Sequence, residues 1–316
     1  MKIKVLDRAS MGFDLSFEQL KKYGDVEIYD TTSKEELIEK TRDADVLVLN
    51  KIRITEDVIS NASNLKLICV FATGFDNIDV AAAKKRGVAV CNVPAYSTDS
   101  VALFTVANVL CLYSKLTEYR RHVASGRYSE EGKGNALTPV YHELRGKVWG
   151  IIGFGNIGRA VAKVAEAFGA KVIVNKRIPV EDYECVDIDT LCEKSDIITV
   201  HCPLNDGTRN LIGKERLDKM KRDVVLVNEA RGAVLDEAAV AKAVLDGKIG
   251  AFGCDVYTSE PFDKKHPYAE IMGLDNVCLT PHAAWGAYEA RVRCIEVICN
   301  NIESYFGGKS LNRVDK

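Results

Sequence analysis

The stretch "KVWGIIGFGNIGRAVAKVAEAFGAKVIVNKR", residues 147–177, decides how this chain is read. An apolar run, VWGII, leads into Gly153-Phe154-Gly155-Asn156-Ile157-Gly158. An amphipathic run, NIGRAVAKVAEAFG, follows, and then a second apolar run, AKVIVN. Strand, glycine turn, helix and strand in this order describe a phosphate-binding βαβ unit. G-x-G-x-x-G alone is a weak signal, because glycine also marks ordinary turns. In this context each glycine has a task. The first permits a tight turn, the second lets backbone approach a pyrophosphate, and the third lets helix and strand pack closely. The anion then rests on the helix N-terminus, where N–H groups and the helix dipole favour it. Gly153, Gly155, Asn156, Ile157 and Gly158 are the expected cradle of a dinucleotide.

The end of the stretch departs from the default. An acid about 20 residues past the glycines ordinarily binds the ribose hydroxyls of NAD. Here Lys176 stands 18 residues past Gly158, between Asn175 and Arg177. An acid repels a 2′-phosphate, whereas Lys and Arg attract one. The expectation is a site for NADP(H), with NAD as the alternative. The plainer reading is that both cations are solvated residues after a strand.

Working outward, short apolar runs alternate with helical segments along the whole chain. KIKVL, VEIYD, DVLVLN, LKLICVF and GVAVCN read as buried strands of a parallel sheet, with helices such as SKEELIEKTRD and NIDVAAAKKRG between them. A second series follows: KVWGII, AKVIVN, DIITVH, DVVLVN, IGAFGCDV and NVCLT. Two such series imply two α/β domains. The turn-rich NVPAYSTDS, residues 92–100, separates them. Ser97, Thr98 and Asp99 are candidate caps for one long helix, SVALFTVANVLCLYSKLTEYRRH, that connects the domains. A last amphipathic helix is expected in WGAYEARVRCIEVICNNIESYF, and its periodicity does not choose a domain.

Bulk properties exclude several classes. The chain has 316 residues, 47% apolar and 28% charged, which suits a globular protein of two domains. A net charge of −2 gives no reason to expect nucleic acid or an anionic membrane as partner. No apolar run approaches a membrane span, and "MKIKVLDRAS" lacks a signal peptide's apolar segment. Ten cysteines are scattered with no C-x-x-C pair, which argues against a disulfide framework and against zinc. A reduced, cytoplasmic protein without a metal is expected.

Candidate chemistry lies just past the strands of the second series. Arg231 follows DVVLVN, Asp255 and Glu260 follow IGAFGC, and His282 follows NVCL. Ligands of open α/β sheets bind beyond the carboxyl ends of the strands. Singly, each residue reads as ordinary, and His122, His142, His201 and His266 are read as structural. Together they describe a chemistry. Hydride transfer to a ketone needs a proton donor near neutral pH, which His supplies. A carboxylate holds the ring, and the planar fork of an Arg suits a substrate carboxylate and polarises its carbonyl.

At this point the chain resembles the D-isomer-specific 2-hydroxyacid dehydrogenases. The likeness runs through ATGFDNIDVAAAKKRGVAVCNVPAYSTDSVA, GIIGFGNIGRAVA, HCPLNDGTRNLI, LVNEARGAVLDEAAV, GCDVYTSEP and LTPHAAW. The resemblance implies an α/β fold in which a Rossmann-type dinucleotide-binding domain is inserted into a flavodoxin-like substrate domain. The expected boundaries are 1–98 with 285–316 for the substrate domain and 99–284 for the dinucleotide domain. It also implies that much of the last helix returns to the substrate domain. It gives Arg231 the substrate carboxylate and carbonyl, pairs Glu260 with His282, and makes His282 the acid/base. It places substrate carboxylate on the backbone around Thr73 and Gly74. It places Thr105, Cys202, Pro203, Thr208, Ala230 and Asp255 around the cofactor. A homodimer is implied as well.

Within the family, ATGFDNID, VPAYSTDSVA, PHAAW and GGKSLNRV look most like glycerate dehydrogenases, also called hydroxypyruvate or glyoxylate reductases. The expected reaction is reduction of a small 2-keto acid to its D-2-hydroxy acid. The alternatives are a D-lactate-type or branched 2-keto acid reductase, and a dehydrogenase-like corepressor that senses cofactor.

Overall fold

The computed structural model describes residues 1–316, and the chain divides into two compact units. One unit is Met1–Ser97 with Gly286–Lys316, and the other is Thr98–Trp285.

In the first unit, β1 (Lys2–Val5), β2 (Asp25–Ile28), β3 (Val46–Leu49), β4 (Leu67–Val70) and β5 (Ala89–Cys91) form an all-parallel sheet in the order β2-β1-β3-β4-β5. That is the flavodoxin order. β3, β4 and β5 are buried throughout, as strands covered on both faces must be. β2 is not: it lies at the edge and every one of its residues keeps some exposure. Helices α1 (Lys34–Thr41), α2 (Glu56–Asn61) and α3 (Val80–Lys85) connect the strands. Ser33 caps α1 in a reciprocal box with Glu36, and the Asp79 side chain accepts from the Ala82 N–H at the start of α3. Leu47, Leu49, Ile68, Val70 and Val90 form the centre of this unit's core.

The second unit starts with α4 (Thr98–Tyr113), α5 (Leu116–Ala124) and α6 (Arg127–Glu130). The single long helix expected over residues 100–122 is two helices, bent by 63°. Lys115 turns the chain there in the left-handed conformation, φ 57°. No single helix of the protein is long and apolar enough to cross a membrane. The sheet holds β6 (Val148–Ile152), β7 (Lys171–Asn175), β8 (Glu184–Cys185), β9 (Ile197–Val200), β10 (Val225–Asn228), β11 (Ala251–Cys254) and β12 (Val277–Leu279). All pairings are parallel, in the order β12-β11-β10-β9-β6-β7-β8. This is the doubly wound order, and it reverses direction at β6, the strand that feeds the glycine turn. Helices α7 (Asn156–Ala167), α8 (Ile188–Lys194), α9 (Lys214–Lys219) and α10 (Glu237–Leu245) link the strands.

The final helix, α11 (Tyr288–Phe306), belongs to the first unit and packs along β4. Polar contacts fix it. Arg291 reaches both carboxylate oxygens of Asp14 at 2.6 and 2.8 Å, and the Asn301 amide donates to the Asn92 carbonyl at 2.9 Å.

Candidate active site

The glycine turn is built as its spacing demands. Gly153 has φ +89°, and a Cβ there would stand 2.4 Å from the Cys202 nitrogen. A Cβ at Gly158 would stand 2.5 Å from the Gly153 carbonyl oxygen. Gly155 instead opens onto free space. It is the N-cap of the 12-residue α7 and has no side chain to satisfy the first amides of that helix. An open backbone cradle with uncapped amides fits a dinucleotide pyrophosphate.

The end of β7 is tied to this turn. The Gly153 N–H donates to the Asn175 carbonyl at 3.0 Å, and the Asn175 amide donates to the Val186 carbonyl at 3.0 Å. The Asn175 side chain is thereby spent on the fold. Lys176 is half-buried, Arg177 is exposed, and neither forms an ion pair. Arg159, in the first turn of α7, pairs with Asp182 at 2.9 Å and lies 4.7 Å over the Phe154 ring. The Asp182 carboxyl is held below its ordinary range by the Arg159 hydrogen bond and by nearby Lys176.

The loop after β9 carries Cys202, Pro203 and Thr208. Cys202 is buried, and burial pushes its thiol up to about 11. The Thr208 hydroxyl donates to the Pro203 carbonyl at 2.7 Å and accepts from the Asn205 N–H at 2.8 Å, closing the loop on itself. The ring nitrogens of His201 are shielded and unpartnered, and burial drives the ring down to about 3, so it stays neutral. Thr105 departs from its expected place. It is fully buried within α4, and its hydroxyl donates to the Val101 carbonyl of its own helix. It belongs to the packing of α4 and offers a cofactor no surface.

The polar residues past β10, β11 and β12 form a connected set. The Asn228 side chain accepts from the Ala230 N–H at 3.1 Å and donates to the Arg231 carbonyl at 3.0 Å, fixing the turn that presents Arg231. Gly232 lets this turn press on the next loop, since a Cβ there would meet the Tyr257 backbone at 2.1 Å. The Arg231 guanidinium donates to the Ala230 carbonyl at 2.8 Å and pairs with no carboxylate of the chain. Asp255 is 1% exposed and accepts from Thr280 Oγ1 at 2.6 Å, the Ala283 N–H at 2.8 Å and the Ala284 N–H at 2.9 Å. It therefore pins the segment that carries His282. Burial raises its carboxyl, and these donors oppose the rise. His282 sits at φ 53°, with Nδ1 2.6 Å from Glu260 Oε2. Glu260 Oε1 accepts from the Tyr257 N–H at 3.0 Å. With Nδ1 engaged, Nε2 is the nitrogen left for a reacting oxygen.

Thr73 and Gly74 lie in the first unit, just past β4. The Thr73 hydroxyl donates to the Val93 carbonyl at 2.9 Å, and its own carbonyl accepts from the Asn92 amide at 2.8 Å. The exposed Thr73 is thus held through its side chain, leaving the backbone as its ligand surface.

Two polar pairs escaped the sequence reading: Arg159 with Asp182, and Asn108 with Glu229. The residues of each pair lie 23 and 121 positions apart, so only the fold joins them.

A doubly wound dinucleotide sheet that presents an Arg and a Glu–His pair past successive strands defines a nicotinamide-dependent oxidoreductase. Residues 106–284 match the family described as D-isomer specific 2-hydroxyacid dehydrogenase, NAD binding domain. The hydroxypyruvate reductase of Blautia hydrogenotrophica is 34% identical over 325 residues, covering 100% of both chains. Among solved structures, an acyclic imino acid reductase in complex with NADPH and D-Arg is 34% identical, with a TM-score of 0.88 over 99% of this chain and 100% of that one. A D-lactate dehydrogenase from Aquifex aeolicus, complexed with NAD and lactic acid, is 30% identical, with a TM-score of 0.87 over 100% and 99%. The chain belongs to the D-isomer specific 2-hydroxyacid dehydrogenases and is an NAD(P)-dependent oxidoreductase.

Proposed function

We propose that the enzyme reduces a small 2-keto acid, hydroxypyruvate or glyoxylate before others, to the D-2-hydroxy acid, and that it prefers NADPH to NADH. The observation that carries the reaction is the 2.6 Å contact of His282 Nδ1 with Glu260, in a unit where Arg231 has no anionic partner of its own. A bound nicotinamide supplies the hydride. The chain does the rest. Arg231 binds the substrate carboxylate and polarises the carbonyl. In the first unit, the Thr73–Gly74 backbone is read as a carboxylate ligand. His282 gives its proton to the developing alkoxide, and Glu260 fixes the tautomer and stabilises the charged ring. Gly153, Gly155, Asn156, Ile157 and Gly158 cradle the pyrophosphate. Cys202, Pro203, Thr208, Ala230 and Asp255 line the cofactor, with Asp255 also holding the 280–284 segment.

Lys176 and Arg177, neither of them in an ion pair, support the NADP(H) preference. Exposed apolar residues support a homodimer: Leu116, Val123, Leu137 and Val140 are 56–75% exposed within one short span of the second unit. A cytoplasmic location accords with ten free cysteines. The test is steady-state turnover with hydroxypyruvate, glyoxylate, pyruvate and branched 2-keto acids, each with NADPH and with NADH. Higher kcat/KM with pyruvate or a branched acid moves the assignment to a lactate-type reductase. No turnover with any of them leaves a cofactor-sensing protein.

A further inference from the structure

Glu229 stands between Asn228, the last residue of β10, and the turn that presents Arg231. Nothing in the reaction uses it. It is 7% exposed. Its Oε1 accepts from the Asn108 amide of α4 at 2.7 Å, while its Oε2 is buried without a partner. Asn108 is itself engaged on its other side, where Oδ1 accepts from the Cys278 thiol at 3.0 Å.

The register of the sheet sets a second carboxyl beside it. Asn228 is opposite Cys254 across parallel β10 and β11, so Glu229 and Asp255 are adjacent positions past the two strands. The Asp255 N–H donates to the Asn228 carbonyl at 3.2 Å, which closes that step. Two buried carboxyls therefore sit side by side. Neither carboxyl is in an ion pair. Cys254, Tyr257 and Cys278 act on Glu229 or feel its charge, and burial holds all three in their neutral forms. The next carboxyls, Glu237 and Glu260, reach the Cys254 and Tyr257 side of the group and add negative charge. Arg231 turns its guanidinium to the Ala230 carbonyl. The His282 ring is a basic group that acts on Asp255.

Two such carboxyls do not both ionise at neutral pH, because each opposes the charge of the other in a dry site. The hydrogen bonds decide which one keeps a proton. Asp255 accepts from three donors, and Glu229 accepts from one. We propose that Glu229 is a protonated carboxylic acid in the working enzyme, a positioning residue whose neutrality keeps Asp255 the sole anion holding the 280–284 segment under His282. Burial first, and then Asp255, push the Glu229 carboxyl up to about 8. Above that pH, a second buried anion repels Asp255 and weakens the three contacts that position His282. The proton on Glu229 is thus an alkaline limit built into the site.

The sign of the linkage gives a test that needs no activity. The folded-state value lies above the unfolded one, so the proton stabilises the fold fully below about pH 4.3. That stabilisation is lost as pH rises toward about 8. Glu229→Gln keeps the shape and the acceptor for Asn108 but carries no charge. Thermal midpoints of wild type and Glu229→Gln, measured from pH 5 to 9.5, should diverge by at least about 3 °C in favour of the variant and level off above about pH 8. Infrared spectra of the wild type at pH 7 should hold a protonated-carboxyl C=O band that Glu229→Gln lacks and that fades by pH 9.5.

The kinetic arm rests on the assignment of His282 as acid/base, whereas the other two do not. Oxidation of the D-2-hydroxy acid needs His282 to take up a proton, so its rate rises with pH. A fall above about pH 8 in the wild type, absent in Glu229→Gln, reports Glu229. Asn108→Leu removes the hydrogen bond that favours the ionised form, should move the fall further alkaline, and serves if Glu229→Gln does not fold. Parallel stability curves and no band at pH 7 overturn the proposal. Diverging curves with coincident alkaline limbs overturn the positioning role. A wild type that oxidises no 2-hydroxy acid overturns the functional reading and leaves the proton on Glu229 to the stability curves.

Discussion

The cofactor preference can be worked from the end of β7. Lys176 is half-buried, and Asn175 beside it is held by the glycine turn and by Val186, so the ammonium starts from a fixed base. A hydrogen bond to a charged group contributes about 1.5–3 kcal/mol. With 1.4 kcal/mol per tenfold, one phosphate contact from Lys176 gives NADPH an advantage of about 10- to 100-fold in kcat/KM. Arg177 is exposed, so screening leaves it little to add. Asp182 works in the opposite sense. It holds Arg159 at 2.9 Å and sits near Lys176, a negative charge where a 2′-phosphate would approach. Lys176→Asp should erase or invert the preference, with kcat/KM for NADH unchanged or raised, since an acid there repels the phosphate and can bind the ribose hydroxyls of NADH. Asp182→Asn should raise kcat/KM for NADPH about two- to fivefold at low salt and less at 0.5 M salt, because the group is solvated. The assay is initial rate against cofactor concentration at one saturating 2-keto acid and fixed ionic strength. A wild type that uses NADH as well as NADPH, or a Lys176→Asp protein that loses both equally, refutes the reasoning.

Other residues give further expectations. His282→Ala should lower kcat about 10²- to 10⁴-fold and leave the fold intact, which thermal melting checks; unchanged kcat removes His282 from the chemistry. Arg231→Lys keeps a charge but loses the fork, so KM for 2-keto acids should rise and kcat should fall while cofactor Kd, read by fluorescence titration, stays within about twofold. Gly153→Ala forces a Cβ to 2.4 Å from backbone at φ +89°, so it should cost about 1–3 kcal/mol of stability in melting experiments and abolish cofactor-induced stabilisation.

Parts of this structure are legible in the sequence because they encode backbone demands. Gly153 and Gly158 are required by atoms that a Cβ would strike, so their spacing predicts the turn before any contact is known. The buried strands are legible because parallel sheets covered on both faces need continuous apolar runs. The bend between α4 and α5 is not legible. Its pivot, Lys115, is neither Gly nor Asn, and the apolar periodicity runs on across it. β8 is missed because Glu184–Cys185 is two residues with no apolar pattern. The amphipathic face of α11 says that it packs, not on what; that answer needs Arg291 meeting Asp14 and Asn301 meeting Asn92. Glu229 was readable only as an acid in a strand-end turn, since its burial comes from α4, more than a hundred residues earlier.

The sheet order also says which of these effects are independent. β7, which leads to Lys176, and β12, which leads to His282, are separated by β6, β9, β10 and β11. Five spacings of about 4.8 Å put the two strand ends roughly 24 Å apart. At that distance, with no shared partner, effects on free energy add within about 0.3–0.5 kcal/mol. Glu229, Asp255 and His282 are in the opposite situation, because Asp255 is adjacent to one and holds the segment of the other. Lys176→Asp combined with Arg231→Lys should therefore show the NADPH-to-NADH ratio of the first and the substrate KM of the second, each within about twofold of the single variants. A ratio that moves with Arg231→Lys alone would mean that cofactor choice and substrate capture share one rearranging element, and that the separation along the sheet does not insulate them.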